Sequence, residues 1–435
     1  MKAAVVILII AASSATAAAQ EPARRQPLTL AELEQLALRN NPTAAAAQAA
    51  VDATRSLAAQ AGAWPNPVFG YTGSEIGQQR GQHGFFVDQT ILLGGKLRLS
   101  RTVFDRTTDR AQAAVDLQQQ RILSSVRSLF YRTLAAERQV EVHEHLAALV
   151  SEAVGVTAQL FNVGAADKPD HLEIEIETLR VQLALDGARN ELFALRQRLA
   201  AAAGTADVAD RPLAGSIDTA IPNLERDTLI RTLLETSPQV RAARAELERV
   251  RAMTALARRQ TYPNLFLRGG ANYNRELNEP TGQTLGWQGE IEAGVSVPLF
   301  NKNRGGIAAA EADERRAESD LQRVELSLRA EAASQFATYL TALREEEVYR
   351  TQILSRAEEA YRLFLGRYRQ MAAAYPQVLV AQQTLFTMTR EYLGSIDRVW
   401  RSTAALQGML AGDALTAPSV DAVETITFRR DEGAQ

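Results

Sequence analysis

The chain has 435 residues, a net charge of −3 and no cysteine. The absence of cysteine excludes disulfides, thiolate metal sites and cysteine nucleophiles. The balanced charge gives no electrostatic reason to expect a nucleic-acid partner. Aromatic residues make up only 6% of the chain and many apolar residues are alanines, a composition that favours long, closely packed helices over a thick globular core.

The first predicted element is a secretory signal peptide over residues 1–19. Lys2 supplies its positive charge, residues 3–12 form its apolar stretch, and Ala17 to Ala19 are small residues before a cut near Gln20. The alternative is an N-terminal membrane anchor, but the apolar stretch is short for a span of ~20 residues. No other uncharged apolar run reaches that length, so any membrane crossing would have to use strands.

An internal repeat follows the signal peptide. We expect a first copy over residues 28–204, a linker over 205–226, a second copy over 227–412 and a C-terminal tail over 413–435. Each copy opens with an amphipathic helix, and the first of these begins in a capping-box pattern at Thr29.

Each copy continues with a second helix that begins at a proline, Pro42 or Pro238, after an Asn or Ser N-cap. A stretch with strand character and a glycine-rich corner come next. A very long helical segment then runs from about 97 to 163 in the first copy and from about 307 to 368 in the second. About 65 helical residues would span roughly 100 Å. After a short break, another long helix reaches about 203 in one copy and about 411 in the other.

Each copy has room for two strands between its second helix and its corner. Apolar and polar residues alternate along 265–274 and 287–297, and more loosely in the first copy. Such alternation is what a membrane barrel requires, with apolar residues towards lipid, although a half-buried sheet of a soluble protein would show it too. The predicted lipid-facing residues are Leu265, Leu267, Tyr273, Trp287, Ile291 and Val295.

The number of strands constrains the assembly that a lipid-facing sheet would need. Four strands cannot close a membrane barrel, because the smallest closed barrels use about eight. Open sheet edges are forbidden in lipid. A lipid-facing sheet therefore requires either two chains with eight strands or three chains with twelve.

An ordered set of short motifs resembles the outer-membrane efflux proteins of the TolC-like family. The resemblance covers roughly residues 28–412, and the Leu-Gly-Gly-Lys corner is most similar to the heavy-metal branch, which works with resistance-nodulation-division pumps. The motifs that carry it are Asn41-Pro42, Pro65-Asn66, Gly94-Gly95-Lys96, Phe161-Asn162-Val163-Gly164 and Pro298-Leu299-Phe300.

The resemblance implies a mainly α fold with a membrane β-barrel portion. A homotrimer would combine its hairpins into a twelve-stranded barrel in the outer membrane and its long helices into a twelve-helix periplasmic tunnel. The linker 205–226 would form a belt around the tunnel. The implied function is passive efflux of metal cations or drugs, without a cofactor or enzymatic activity. The implied partners are a periplasmic adaptor, an inner-membrane pump and outer-membrane lipid.

In the resembled family, the tips of the helical hairpins close the tunnel. Asp170 and Tyr368 match gate residues, although Asp170 could instead cap the following helix. The positions of further polar gate residues read Ala373, Gln377 and Val380 here, which predicts that the polar lock is mostly absent. The tip turns expected to contact the adaptor contain Val163, Gly164, Pro169, Met371 and Pro376.

No residue pattern assigns a metal site or a catalytic site. His143 and His145 are two residues apart on a helix and therefore face different sides. His171, beside Asp167 and Asp170, is the better-placed metal candidate. Two other functions stay open at this point, a type I secretion duct with the same fold and a soluble periplasmic helical scaffold.

Overall fold

The computed structural model describes five stretches of the chain, which leave the predicted signal peptide (1–19) and tail (413–435) outside. Among the helices in these stretches, none combines the length and the apolar character needed to cross a membrane. The described residues are 26–76, 80–162, 168–217, 221–278 and 282–408.

The described part of the first repeat contains three strands and four helices. In chain order its elements are β1 (Leu28–Thr29), α1 (Leu30–Asn40), α2 (Pro42–Ala61), β2 (Val68–Ser74), β3 (Gln82–Leu92), α3 (Lys96–Asn162) and α4 (Lys168–Ala203). A short 3₁₀ helix (Ala206–Asp210) and strand β4 (Leu213–Ala214) follow in the linker.

The second repeat has the same order of helices and hairpin from its first helix onward, except that its long helical segment is divided into two helices. These are α5 (Arg226–Thr236), α6 (Pro238–Arg259), β5 (Asn264–Asn278), β6 (Gln283–Ser296), α7 (Arg304–Val348), α8 (Leu354–Arg369) and α9 (Tyr375–Gln407). The long helical segment predicted in this repeat is divided by a π-helical turn at Tyr349–Ile353, between α7 and α8.

Local capping fixes the helix starts, as the sequence predicts. Thr29 forms a complete capping box with Glu32 at the start of α1. The Asn41 side chain accepts a hydrogen bond of 3.0 Å from the backbone N–H of Thr43, and Ser237 accepts one of 3.2 Å from Gln239. These bonds satisfy backbone donors that the first helical turn leaves open, so the chain can change direction sharply before each proline.

The two hairpins form one antiparallel sheet with the strand order β2-β3-β5-β6. Strands β3 and β5 come from different repeats, yet they pair continuously from Gln82 opposite Asn274 to Leu92 opposite Asn264. Strands β2 and β6 lie at the two edges of the sheet, and neither has a second partner among the described strands. The sheet therefore remains open in a single chain.

The long helices pack side by side below the sheet, and several small apolar clusters follow one another along them. Leu33 of α1, Ile122 of α3 and Leu199 of α4 belong to one of these clusters and are completely or almost completely buried. Alanine is frequent in the clusters, which allows close approach of the helix axes. An elongated bundle with a thin core follows from this arrangement.

The linker is fastened to the middle of the helical part. The indole N–H of Trp400 donates to the carbonyl of Ile217 at 3.2 Å, and the Trp400 ring stacks on Tyr131 at 3.7 Å between centroids. The Tyr339 hydroxyl donates to the carbonyl of Pro222 at 2.6 Å. A short parallel pairing of β1 with β4 also joins the linker to the start of the first repeat.

Candidate functional site

One face of the four-stranded sheet is predominantly apolar, with Gln89 and His83 of β3 as its polar residues. The strand register pairs Leu265 with Val295 and Tyr273 with Trp287, so all six residues predicted to face lipid lie on this face. Ile291 is 89% exposed and Trp287 is 69% exposed. Strands β2 and β3 add Phe69, Tyr71, Phe85, Val87 and Ile91 to the same face.

The two polar side chains on this face, His83 and Gln89, both form hydrogen bonds. His83 lies beside Tyr273 in the register, and its Nδ1 is in hydrogen-bond contact with the hydroxyl of Tyr71. The Tyr71 ring also meets Phe85 edge-on at 5.8 Å. The imidazole therefore lies among aromatic rings, near one end of the apolar surface.

The opposite face of the sheet is polar and charged. Asp88, Arg268 and Glu292 form one transverse row across β3, β5 and β6. The Arg268 guanidinium lies 3.8 Å from the centroid of the Phe86 ring, and one of its nitrogens is 3.9 Å from a carboxylate oxygen of Glu292. A cation held by both a ring face and a carboxylate has a fixed position.

Glycines on this polar face make room for two flat aromatic rings. A Cβ atom at Gly70 would lie 2.2 Å from the Phe86 ring, and one at Gly294 would lie 2.0 Å from the Phe266 ring. Both rings therefore lie against the sheet and do not project from it. This explains why two phenylalanines occur on a face that is otherwise polar.

The glycine-rich corner of the first repeat joins the two repeats. Gly94 and Gly95 adopt positive φ angles of 71° and 72°, which a side chain would disfavour. Lys96 then lies buried, and its ammonium donates to the Tyr262 carbonyl at 2.6 Å and to the Asn264 side chain at 2.7 Å. The lysine is a structural bridge, a role that its sequence context did not reveal.

At the far end of the helical part, the predicted gate residue Tyr368 is buried inside the chain. It is 5% exposed and packs with Tyr361, Tyr375 and Val378. Its hydroxyl lies 3.2 Å from the Thr157 hydroxyl on α3. Tyr368 therefore connects the two helical hairpins, and its part in gating stays a prediction.

A second polar contact joins the same two helices. Arg369 at the end of α8 forms an ion pair with Glu152 of α3. The polar lock is predicted to be mostly absent at Ala373, Gln377 and Val380, but this ion pair between residues 217 positions apart supplies a polar contact at the tip. No local pattern could have revealed this pair, since both residues resemble any exposed helical charge.

The remaining predicted tip residues have different positions. Pro169 and Pro376 are exposed second residues of α4 and α9. Met371 is 66% exposed and has a φ angle of 56° in the turn between α8 and α9. Val163, Gly164 and the side chain of Asp170 lie outside the described residues.

The histidines do not gather into a metal centre in the described part of the chain, where no three His, Cys, Asp or Glu side chains could hold one ion. His171 lies 3.4 Å from Glu175 and against Phe161. His143 lines a cavity of about 150 Å³ together with Gln139 and Arg390. Burial, and secondarily the charge of Arg390, lower the pKa of His143.

Comparisons with known proteins agree with this architecture. The chain is 26% identical over 386 residues to the cobalt-zinc-cadmium resistance protein CzcC of Cupriavidus metallidurans, covering 88% of this chain and 90% of the relative. It is 28% identical over 286 residues to the nickel-cobalt-cadmium resistance protein NccC of Alcaligenes xylosoxydans xylosoxydans, covering 64% of this chain and 62% of the relative.

Two solved structures share the fold. The outer-membrane channel OprN superposes with a TM-score of 0.75 at 18% identity, over 88% of this chain and 90% of that one. The CusC channel superposes with a TM-score of 0.76 at 15% identity, over 88% and 92%. Residues 33–205 and 229–412 match the outer membrane efflux protein family. The chain therefore belongs to that family and is a non-enzymatic efflux channel of the outer membrane with a periplasmic helical extension.

Proposed function

We propose that three copies of the chain close into one channel, with the apolar face of the sheet towards outer-membrane lipid. The observation that carries this proposal is a sheet with an exposed, predominantly apolar face and two edges, β2 and β6, that have no second partner among the described strands. Unpaired backbone groups are not tolerated in hydrocarbon. Pairing β6 of one chain with β2 of the next satisfies them, and three chains supply twelve strands.

The helices support the same assembly. Helix α4 packs on α3 through one side, and its other side exposes Leu172, Ile176, Leu179 and Leu183 at intervals of three and four residues. Such spacing is typical of a helix that packs along another helix. At the opposite side of the bundle, α7 and α8 expose Leu326, Leu340 and Leu363. A neighbouring chain would cover both surfaces.

We further propose that different segments of the chain have different roles. Residues 28–204 and 227–412 each supply one hairpin of the barrel and one long helical hairpin of the tunnel, and residues 205–226 form a belt fixed by Trp400 and Tyr339. Asp170 and Tyr368 belong to the periplasmic gate. The turns with Val163, Gly164, Pro169, Met371 and Pro376 contact a periplasmic adaptor, which links the channel to an inner-membrane pump.

The proposed cargo is a divalent heavy-metal cation. Two relatives, at 26% and 28% identity, are named for resistance to cobalt with zinc and cadmium or with nickel and cadmium. The charged row on the polar face of the sheet contains two carboxylates and one guanidinium. A net negative lining favours cations over anions, which supports this choice of cargo.

The membrane assembly is tested with two neighbouring substitutions. We expect Ile291→Lys to reduce sharply the amount of trimer extracted from outer membranes, because a lysine on the lipid face costs ~2–4 kcal/mol near the bilayer midplane. Glu290→Lys introduces the same residue on the polar face, opposite Gly270, and should leave the trimer yield unchanged. The measurement is the native mass of the detergent-extracted protein.

Equal yields for both variants would contradict the lipid-facing assignment, since Ile291 would then be an ordinary exposed residue of a soluble scaffold. A wild-type monomer recovered from the soluble periplasm would contradict the trimer as well. Either result would leave the family membership intact but would require another arrangement of the sheet.

The cargo is tested in a strain that lacks the chain but retains its adaptor and pump. We expect the deletion to lower tolerance to cobalt, zinc and cadmium, and the intact chain to restore it. Secretion of large polypeptides is the matched readout, and the deletion should leave it unchanged. Loss of secretion with normal metal tolerance would instead support a type I secretion duct.

A further inference from the structure

The cavity beside His143 lies where the two repeats meet in the helical part. Helices α3 and α4 of the first repeat and α9 of the second repeat line it, and its volume is about 150 Å³. The lining residue on α4 is Ala184, whose methyl group is too short to fill the space between the three helices. A cavity of this volume accepts a benzene ring, so it can hold a small organic molecule.

One side of the cavity is apolar and has a fixed shape. Val142, Phe386 and Leu393 line this side, and the first two also pack against an apolar cluster that contains the buried Val181. The Phe386 ring lies 5.9 Å from the His143 ring between centroids, and the two planes are tilted by 42°. Two flat rings therefore border the apolar part of the cavity.

The other side of the cavity is polar and carries a positive charge. Among the described residues that line the cavity, the polar ones are Gln139, His143, Thr387 and Arg390, and none is acidic. The ion pair of Arg390 is with its sequence neighbour Glu391 at 3.9 Å, which is longer than a hydrogen bond. The guanidinium N–H groups therefore remain able to donate to a ligand.

His143 adds a neutral donor to the same side. Its Nδ1 atom is buried without a hydrogen-bond partner in the described structure. A proton on Nδ1 would be a buried donor without an acceptor, which is unfavourable, so the neutral ring carries its proton on Nε2. Gln139 precedes His143 by four residues on α3, and the two side chains therefore lie on one side of the helix.

We propose that this cavity binds a small aromatic carboxylate. The ring of the ligand packs against Phe386 and Leu393, and its carboxylate accepts hydrogen bonds from Arg390 and His143. A cation with neutral donors and no carboxylate around it favours a ligand with one negative charge, since hydrogen bonds between ionised groups are the stronger ones.

A ligand in this position joins the two repeats, because it contacts α3 and α4 on one side and α9 on the other. All of the lining residues belong to one chain. The proposal therefore depends neither on the trimer nor on the metal cargo, and failure of one leaves the other untouched.

Binding is measured with 4-fluorobenzoate and the detergent-solubilised protein, through broadening of the ¹⁹F NMR signal of the ligand. The matched ligand is 4-fluorobenzamide, which has nearly the same shape and no charge. We expect the benzoate to bind in the millimolar range, as is usual for so small a ligand. The benzamide should bind about fivefold more weakly, because it lacks the charge pair with Arg390.

Three variants locate the site. Arg390→Gln changes a side chain that is 67% exposed, so the fold should be retained, and affinity for the benzoate should fall by about fivefold. Ala184→Leu fills the cavity and should abolish binding of both ligands. Arg362→Gln removes an arginine of α8 that is 71% exposed, and this control should bind like the parent. Thermal unfolding without ligand shows whether each variant is folded.

Each outcome decides the proposal. Loss of binding in Ala184→Leu and weaker binding in Arg390→Gln, with normal binding in Arg362→Gln, would support a carboxylate site in the cavity. Equal broadening in all variants would overturn it, because the ligand would then be dissolved in the detergent micelle. Equal binding of benzoate and benzamide would overturn the choice of a carboxylate. Absence of binding to the parent would mean that the cavity holds water only.

Discussion

The fold of the helical part opposes protonation of one residue, His143. It lines the cavity beside Arg390, and its Nδ1 atom is buried without a hydrogen-bond partner in the described structure. Burial disfavours the charged imidazole, and Arg390 repels it. The pKa of His143 in the folded chain therefore lies below the ordinary value of about 6.5.

This pKa shift makes stability depend on pH with a definite sign. Below a pH of about 6.5, His143 is protonated in the unfolded chain but stays neutral in the folded chain until the pH reaches its lower folded-state pKa. Acidification through this range therefore favours unfolding. We expect the thermal midpoint to fall less between pH 7 and pH 5 in His143→Gln than in the unmodified chain. Thermal unfolding in detergent at both pH values measures this, and the exposed neighbour His145→Gln is the control. An identical pH dependence in all three proteins would contradict the prediction.

Contacts between residues close in the sequence could be predicted, whereas contacts between distant residues could not. The capping box at Thr29 is visible in the sequence because its partner, Glu32, is three residues away. The partners of Lys96 lie 166 and 168 residues away, and those of Tyr368 and Arg369 lie more than 200 residues away. Contacts of this kind depend on how the repeats pack, and no local pattern encodes them.

Among the elements, the π-helical turn at Tyr349–Ile353 is the feature that the repeat pattern did not predict. Its residues are ordinary helix formers, with no proline or glycine. A π turn holds one residue more than an α turn and therefore shifts the helix face that follows it. The helix that follows, α8, buries Tyr361, Leu365 and Tyr368.

The strand faces, by contrast, followed directly from alternation along the sequence. The register of β5 and β6 sets every predicted apolar residue on one side, because the side-chain period of a strand is two. The weaker alternation in the first repeat has a visible cause. Gly70 and Gly73 interrupt β2, and Gly70 is needed to accommodate the Phe86 ring.

Deletion of Thr351 tests whether the π turn is a single inserted residue. The deletion should convert the turn into regular α-helix and keep the buried face of α8 in place, so we expect stability close to that of the parent. Thr384 in α9 is an exposed threonine with the same hydrogen bond to the carbonyl four residues before it. Deletion of Thr384 rotates the rest of α9 by about 100° relative to the part before it, given ~3.6 residues per turn. This deletion should be severely destabilising. Equal losses of thermal stability would contradict this interpretation.

At the scale of the whole molecule, two contacts hold the ends of the helical hairpins together, Glu152 with Arg369 and Thr157 with Tyr368. Both lie far from the sheet, so the membrane part and the tip are separate regions joined by long helices. The overall architecture could be predicted because the repeat and the motif order extend over the chain. The tip contacts could not, since they join α3 of one repeat to α8 of the other.

We expect Glu152→Gln to raise the open probability of the reconstituted channel, because the ion pair joins the hairpin tips that are proposed to close the tunnel. The side chains of Glu152 and Arg369 are both 49% exposed, and a half-exposed ion pair contributes ~0.2–1 kcal/mol. The open population should then rise by about 1.4-fold to fivefold. Single-channel recording in planar bilayers measures this. Glu141→Gln removes an exposed pair with Arg138 within α3 and should leave the open probability unchanged, whereas a rise of equal size would contradict a specific tip contact.

The pairing of β3 with β5 has a consequence for assembly. The two hairpins of one chain are already joined in register, by a junction of the same antiparallel kind as the one within each hairpin. In the proposed trimer, a ring of six hairpins therefore needs only three encounters between molecules, whereas six separate repeats would need six. The covalent link also keeps the second hairpin at a high effective concentration beside the first. Ring closure should consequently slow less steeply on dilution than it would for chains that carry a single repeat.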